Sequence, residues 1–308
     1  MTKKTKIQLA PLFDISVYIQ GFQIVSASIG FDDNIYILLI DETPERIDGM
    51  FVQSKTQNAH TYKVLTVGKD FVSELPIYNQ RFNYHFVQPF NNDKLLLVGA
   101  RTRYFNKDKY ELNGKLFDLN GVLLKEILLG DGIQSLQVSK NGTIWTGYFD
   151  EGVFGNYGWD NPIGAPGLIA WNIDGEKIFS NLRADICDCY ALNVVSDHDV
   201  WFYYYSDFNL CNIKDSEIQF FNPGISGSSG FIKYDSYYLF DKGYGKHDKY
   251  AFLKSGSFKE QFSIEFTNKD GDKIQSSIRD FRSDKLLLVD NEHVYVVWLR
   301  SIIEDLCR

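Results

Sequence analysis

The side chains able to do chemistry gather in the middle of the chain. Residues 148–160, YFDEGVFGNYGWD, carry Tyr148, Asp150, Glu151, Trp159 and Asp160; Asp185 and Asp188 follow, then Tyr190, Tyr205 and Asp207. Carboxylates beside aromatic rings suit a ligand site, because rings supply apolar contact area and carboxylates orient polar or cationic groups. A hard cation such as Ca²⁺ is a second chemistry open to them, since it takes roughly six to eight oxygen ligands. Acid/base catalysis is a third. Asp150 and Glu151 are adjacent, however, and neighbours on a strand point to opposite faces, which is a poor arrangement for two carboxylates acting on one bond. The ten residues named above are the expected ligand-binding set.

Other chemistries find little footing. Cys187-Asp-Cys189 lacks the two further ligands of a zinc site. The five histidines, His60, His85, His198, His247 and His293, sit in no nucleophile or metal motif. GISGSSG, residues 224–230, has no following Lys and is not a phosphate loop. Four cysteines in 308 residues make no disulfide framework and read as free thiols of a cytoplasmic protein. The net charge of −8, with basic clustering only at Lys3, Lys4 and Lys6, argues against nucleic acid. No apolar run reaches the ~18 residues of a membrane span, and the N-terminus has no h-region for a signal peptide.

The elements that must position these residues are strands. Aromatic residues make up 16% of the chain, with 24 Gly, a composition that favours β-structure. A unit recurs: FNNDKLLLV at Phe90–Val98 and FRSDKLLLV at Phe281–Val289, with weaker copies from Phe31, Val138, Val195 and Ile232. Each is a strand, a tight turn and a second strand; Asn141-Gly142 is the strongest turn, because both residues tolerate positive φ. Second strands are expected to start at Ile35, Lys94, Thr143, Val200, Tyr237 and Lys285, a mean step of 50 residues. Four short strands per repeat of about this length make a β-propeller blade. The fold is therefore expected to be all-β, a single-domain propeller (1–308) of six four-stranded blades. Too few residues follow Lys285 to complete the last blade, so residues 1–20 are expected to complete it and close the ring. The inserts Asp41–His60, Arg101–Gly114, Asp150–Pro166 and Asp241–Lys249 read as loops. Trp145, Trp171 and Trp201 fall on strands and are expected between blades, whereas Trp159, in a loop, is expected to meet a ligand.

TIWTGYFDEGVFG, the following GAPGLIAW, DCYALNV and WFYYYSDF resemble the repeats of bacterial regulator-type and six-bladed sugar-lactonase-type propellers. Together, from Tyr148 to Phe208, they resemble a bacterial six-bladed propeller family with no biochemistry attached to it. In such propellers the first strand of each blade lines the centre and the tight turns share one face. The resemblance thus implies that the acidic and aromatic residues gather on the other face. Lactonase-type propellers hold a metal by Glu, Asn and Asp at the channel mouth, which implies Glu151, Asn193 and Asp207 as ligands here. The expected function is a cytoplasmic, non-enzymatic scaffold that binds a protein, a peptide or a small polar ligand, without nucleic acid, membrane or cofactor. The alternative is a metal-dependent hydrolase of the sugar-lactonase type, with Ca²⁺ or another divalent cation.

Overall fold

The computed structural model describes residues 2–46, 52–214 and 217–307. The chain forms two compact units, residues 18–189 and residues 1–17 with 190–308. The fold is all-β: among the described residues, six four-stranded blades of a β-propeller, three to each unit, one of them widened by a fifth strand. Two strands precede them, β1 (Lys3–Gln8) and β2 (Phe13–Asp14). The first blade is β3 (Gln23–Ile29), β4 (Ile35–Ile40), β5 (Lys55–Val67) and β6 (Val72–Phe82). The second contains β7 (Phe86–Phe90), β8 (Lys94–Val98), an inserted hairpin of β9 (Tyr104–Asn106) and β10 (Lys109–Tyr110), then β11 (Gly114–Asp118) and β12 (Leu123–Ile127). The third is β13 (Ile133–Val138), β14 (Ile144–Tyr148), a short helix α1 (Asp150–Phe154), β15 (Leu168–Trp171) and β16 (Lys177–Ser180).

The second unit continues with β17 (Asp188–Ser196), β18 (Asp199–Tyr205), β19 (Leu210–Lys214) and β20 (Glu217–Phe221). The fifth blade is β21 (Phe231–Tyr234), β22 (Tyr237–Asp241), β23 (Lys249–Lys254) and β24 (Glu260–Thr267). The sixth is β25 (Ile278–Arg282), β26 (Lys285–Asp290) and β27 (His293–Trp298), followed by helix α2 (Leu299–Leu306). Second strands begin within one residue of every expected position. The cause is local: a turn residue must leave the strand conformation, and Asp33, Asn91, Gly142, Asp235 and Ser283 all take positive φ there.

Second strands read as unbroken apolar runs because neighbouring blades cover both of their faces. On β8, Leu95 and Leu97 pack with Tyr62 and Val64 of the first blade, while Leu96 and Val98 pack with Ile133 and Ile169 of the third. β22 repeats the division: Tyr238 and Phe240 meet Trp201 and Tyr203, and Leu239 meets Leu286 and Leu288. A period of two thus sends alternate residues into different inter-blade layers. First strands are also cross-linked. Ser28 Oγ donates to Val87 O at 2.6 Å, and the Val138 amide donates to Gln88 Oε1 at 3.3 Å.

The N-terminus divides its work. β2 pairs antiparallel with β27 as the outer strand of the last blade. β1, in contrast, adds a fifth, parallel strand to the preceding blade, from Lys3 opposite Phe262 to Gln8 opposite Thr267. Pro11 explains the division, since it cannot donate to a ladder and separates the two strands. Three of the inserts read as loops carry structure: β5 extends back to Lys55, β9 and β10 form a hairpin, and α1 opens at Asp150. Residues 47–51 of the first insert lie outside the described residues.

Candidate functional site

Arg101 organises the carboxylates of residues 18–189. Its buried guanidinium donates from Nε to Asp131 Oδ1 and from Nη2 to Asp131 Oδ2, both at 3.0 Å, and Nη1 stands 2.5 Å from Glu151 Oε2. Tyr157 and Phe149 cover it, with ring centroids 4.2 and 5.4 Å away. Asp131 Oδ1 also accepts the Thr102 amide at 2.7 Å. Burial works against the Arg101 charge, yet Asp131 and Glu151 hold its pKa above the ordinary value. Burial lifts Asp131 above its ordinary value against the pull of Arg101. Three donors on Asp131, two of them from one planar fork, favour the ion pair. Glu151 is thus engaged with Arg101. Beside it opens a cavity of about 620 Å³, lined also by Arg103, Tyr104, Phe105 and Tyr157.

Asp150 and Asp188 form a second acidic group in the same unit. Asp150 is exposed at the start of α1 and accepts the Glu151 amide at 2.7 Å. Asp188 is half-buried, and among the described residues its buried Oδ1 has no hydrogen-bond partner. Burial, then the charge of Asp150, pushes the Asp188 carboxyl up to about 7 from 3.8. Folded protein therefore keeps this proton after the unfolded chain has lost it, so stability falls as pH rises from 3.8 to about 7 and levels off above. Asp188→Asn is expected to melt above the wild type at pH 8 and level with it at pH 4. Thermal unfolding at both pH values checks this; a lower melting temperature at pH 8 would mean that the ionised carboxylate has a stabilising partner.

Two of the residues expected to meet a ligand are buried. Tyr148 is fully buried; its hydroxyl accepts from Thr146 Oγ1 at 2.9 Å and donates to Leu129 O. Trp159 is only 8% exposed; its indole N–H donates to Thr102 O at 2.8 Å, and its ring packs on Tyr104. The loop around Trp159 is held down by that bond, a long-range pairing that local sequence does not reveal. Asp160 and Asp185 lie exposed on the loops before β15 and β17.

In the other unit, four rings come together. Tyr190 stacks on Tyr205 with centroids 6.0 Å apart, Phe208 stands 5.5 Å from Tyr205, and Tyr244 meets Tyr190 and Phe208 edge-on at 6.3 Å. The Tyr190 and Tyr244 hydroxyls share a hydrogen bond of 2.7 Å. Tyr205 and Tyr244 are 42% and 57% exposed, so the cluster faces solvent. Tyr244 belongs to the Asp241–Lys249 insert and escaped sequence reasoning, because only the fold carries it beside Tyr190. Asp207 is exposed at the edge and accepts the Tyr204 hydroxyl at 3.1 Å.

Asn193 is completely buried and fully used. Its Oδ1 accepts the Ser283 amide at 2.6 Å, while Nδ2 donates to Phe231 O and Ser283 O, both at 3.1 Å. The oxygen a cation would need thus ties β17 to the fifth and sixth blades. Among the described residues, no group of three or more His, Cys, Asp and Glu could hold a metal ion. No described helix is long and apolar enough to cross a membrane.

Known structures share the architecture. Hydrazine synthase of Kuenenia stuttgartiensis aligns over 98% of this chain and 81% of its own, at 10% identity and a TM-score of 0.52. A catalytically inactive virginiamycin B lyase from Staphylococcus aureus, solved with quinupristin, aligns over 93% of this chain and 98% of its own, at 10% identity and a TM-score of 0.50. The calcium-binding protein regucalcin from Agrobacterium tumefaciens aligns over 96% and 95%, at 10% identity and a TM-score of 0.50. At such identities the likeness is one of fold. No curated protein sequence matches the chain. Residues 165–297, fewer than half of the chain, match the model of the YxzG family, overlapping the Tyr148–Phe208 stretch whose motifs resemble bacterial propellers.

Proposed function

We propose that the protein is a non-enzymatic binding scaffold that docks a partner's peptide segment on the rings of Tyr190, Tyr205, Phe208 and Tyr244. The observation that carries this reading is the exposure of Tyr205 and Tyr244 within a cluster already held by ring contacts and a hydroxyl bond. Rings fixed before binding lose little side-chain entropy on contact, and aromatic residues are enriched where partners dock. Asp207 at the edge and the net charge of −8 favour a segment with Lys or Arg beside apolar residues, which the tyrosine faces also attract. Four cysteines that form no disulfide among the described residues suit a cytoplasmic scaffold.

Panning the whole protein against a peptide library displayed on phage is expected to enrich sequences with Lys or Arg next to aromatic or aliphatic residues. Tyr205→Ala with Tyr244→Ala is expected to weaken those peptides at least ~10-fold, the loss of roughly 1.4 kcal/mol that truncating contact residues can bring. Enriched peptides that bind the double variant equally well would remove the ring cluster from the binding surface.

The raised Asp188 beside Asp150 favours a second reading, a metal-dependent hydrolase of the sugar-lactonase type, since titration near neutral pH suits acid/base work. A stoichiometric divalent cation in the purified protein, with a melting temperature that falls on chelation, would support it.

A further inference from the structure

A separate cluster lies in the unit of residues 190–308, between the fifth and sixth blades. Asp241, at the end of β22, is completely buried. Its Oδ1 accepts the Gly243 amide at 2.9 Å, and its Oδ2 accepts the Ser229 amide at 3.1 Å and the Ser229 hydroxyl at 2.5 Å. His247 Nδ1 stands 3.2 Å from Oδ1. A carboxylate can only accept, so Nδ1 must carry the proton of that bond. In the neutral imidazole, Nε2 is then the acceptor. Arg279 locks the same loop: Nη1 donates to His247 O and lies 3.7 Å from Asp241 Oδ2.

This imidazole borders a cavity of about 460 Å³, whose wall also includes Lys273, Arg279, Gln275 and Ser276 over an apolar floor of Phe266 and Leu288. That volume suits a small metabolite. Lys273 pairs with Asp248, but both side chains are 34% exposed. Water screens a pair so exposed, so Lys273 can exchange Asp248 for a ligand anion at small cost.

We propose that this cavity binds a small oxyanion that also carries an O–H group, such as a monohydrogen phosphate or a hydroxy-carboxylate. Lys273 holds the anionic oxygens, and the ligand O–H donates to His247 Nε2, which Asp241 orients through Nδ1. Arg279 positions the histidine loop. The residues of this site are other than those of the tyrosine cluster, although Tyr244 stands on the same insert as His247.

The test follows the His247 ring nitrogens by NMR while the whole protein is titrated with inorganic phosphate and, separately, with lactate, against sodium chloride at matched ionic strength. A saturable shift of Nε2 with either probe but not with chloride is expected; the probe that saturates assigns the anion class. Lys273→Ala and His247→Gln, read by calorimetry, are expected to weaken the binding at least ~10-fold, while Tyr205→Ala leaves it unchanged. Both side chains are partly exposed, and a melting curve confirms the fold of each variant. No saturable shift with either probe, equal shifts with chloride, or undiminished affinity in Lys273→Ala would overturn the proposal.

Discussion

Arg101→Ala is expected to lower the unfolding free energy by about 3–5 kcal/mol, the usual cost of leaving a buried charge without its partner. Its side chain is 8% exposed and that of Asp131 2%. The variant removes both donors of a bidentate pair, leaves Asp131 with the Thr102 amide, and frees Glu151. Chemical denaturation with an unchanged m-value checks the figure. Replacing the pair together, Arg101→Met with Asp131→Leu, is expected to recover much of the loss, because an apolar pair asks for no ionic partner. A loss under about 1 kcal/mol in Arg101→Ala would show that water reaches the pair and screens it.

Asn193→Ala is expected to cost about 3 kcal/mol, taking roughly 1–3 kcal/mol for each buried group left unpaired. It strands the Ser283 amide and withdraws a side-chain donor from Phe231 O and from Ser283 O, which keeps the Lys233 amide. Asn193→Asp is expected to fare no better, since it would turn carboxylate oxygen toward those carbonyls. The result also bears on the metal implied by the lactonase resemblance. A cation ligand would leave the apo protein's melting temperature nearly unchanged in Asn193→Ala and abolish any stabilisation by Ca²⁺. A blade cross-link lowers the melting temperature with or without the ion.

The repeat was legible because its signals are local. A turn residue with positive φ, then a buried strand of five or six mainly apolar residues, recurs at Asp33, Asn91, Gly142, Asp235 and Ser283. The blade number and the second-strand starts follow from that pattern, as does the packing of Trp201 between blades, where it meets Tyr238. Tyr190, Tyr205 and Phe208 were also within reach, since they stand on or just beyond adjacent strands of one blade.

Burial and partnership at long range were decided elsewhere. Trp159 looks free in a glycine-rich loop, yet Thr102, 57 residues away, accepts its indole N–H. Glu151 reads as an open ligand until Arg101 is seen between it and Asp131. His247 sits in no motif because Asp241 and Arg279 reach it from other positions in the chain, and Ser229 in turn holds Asp241. The amino-acid sequence by itself determined the periodic strands, the turns and the inventory of acidic and aromatic side chains, all properties of neighbouring residues. Only the tertiary structure decided which of those groups neutralise one another inside and which remain to meet a ligand, because that choice depends on contacts between residues far apart in the chain.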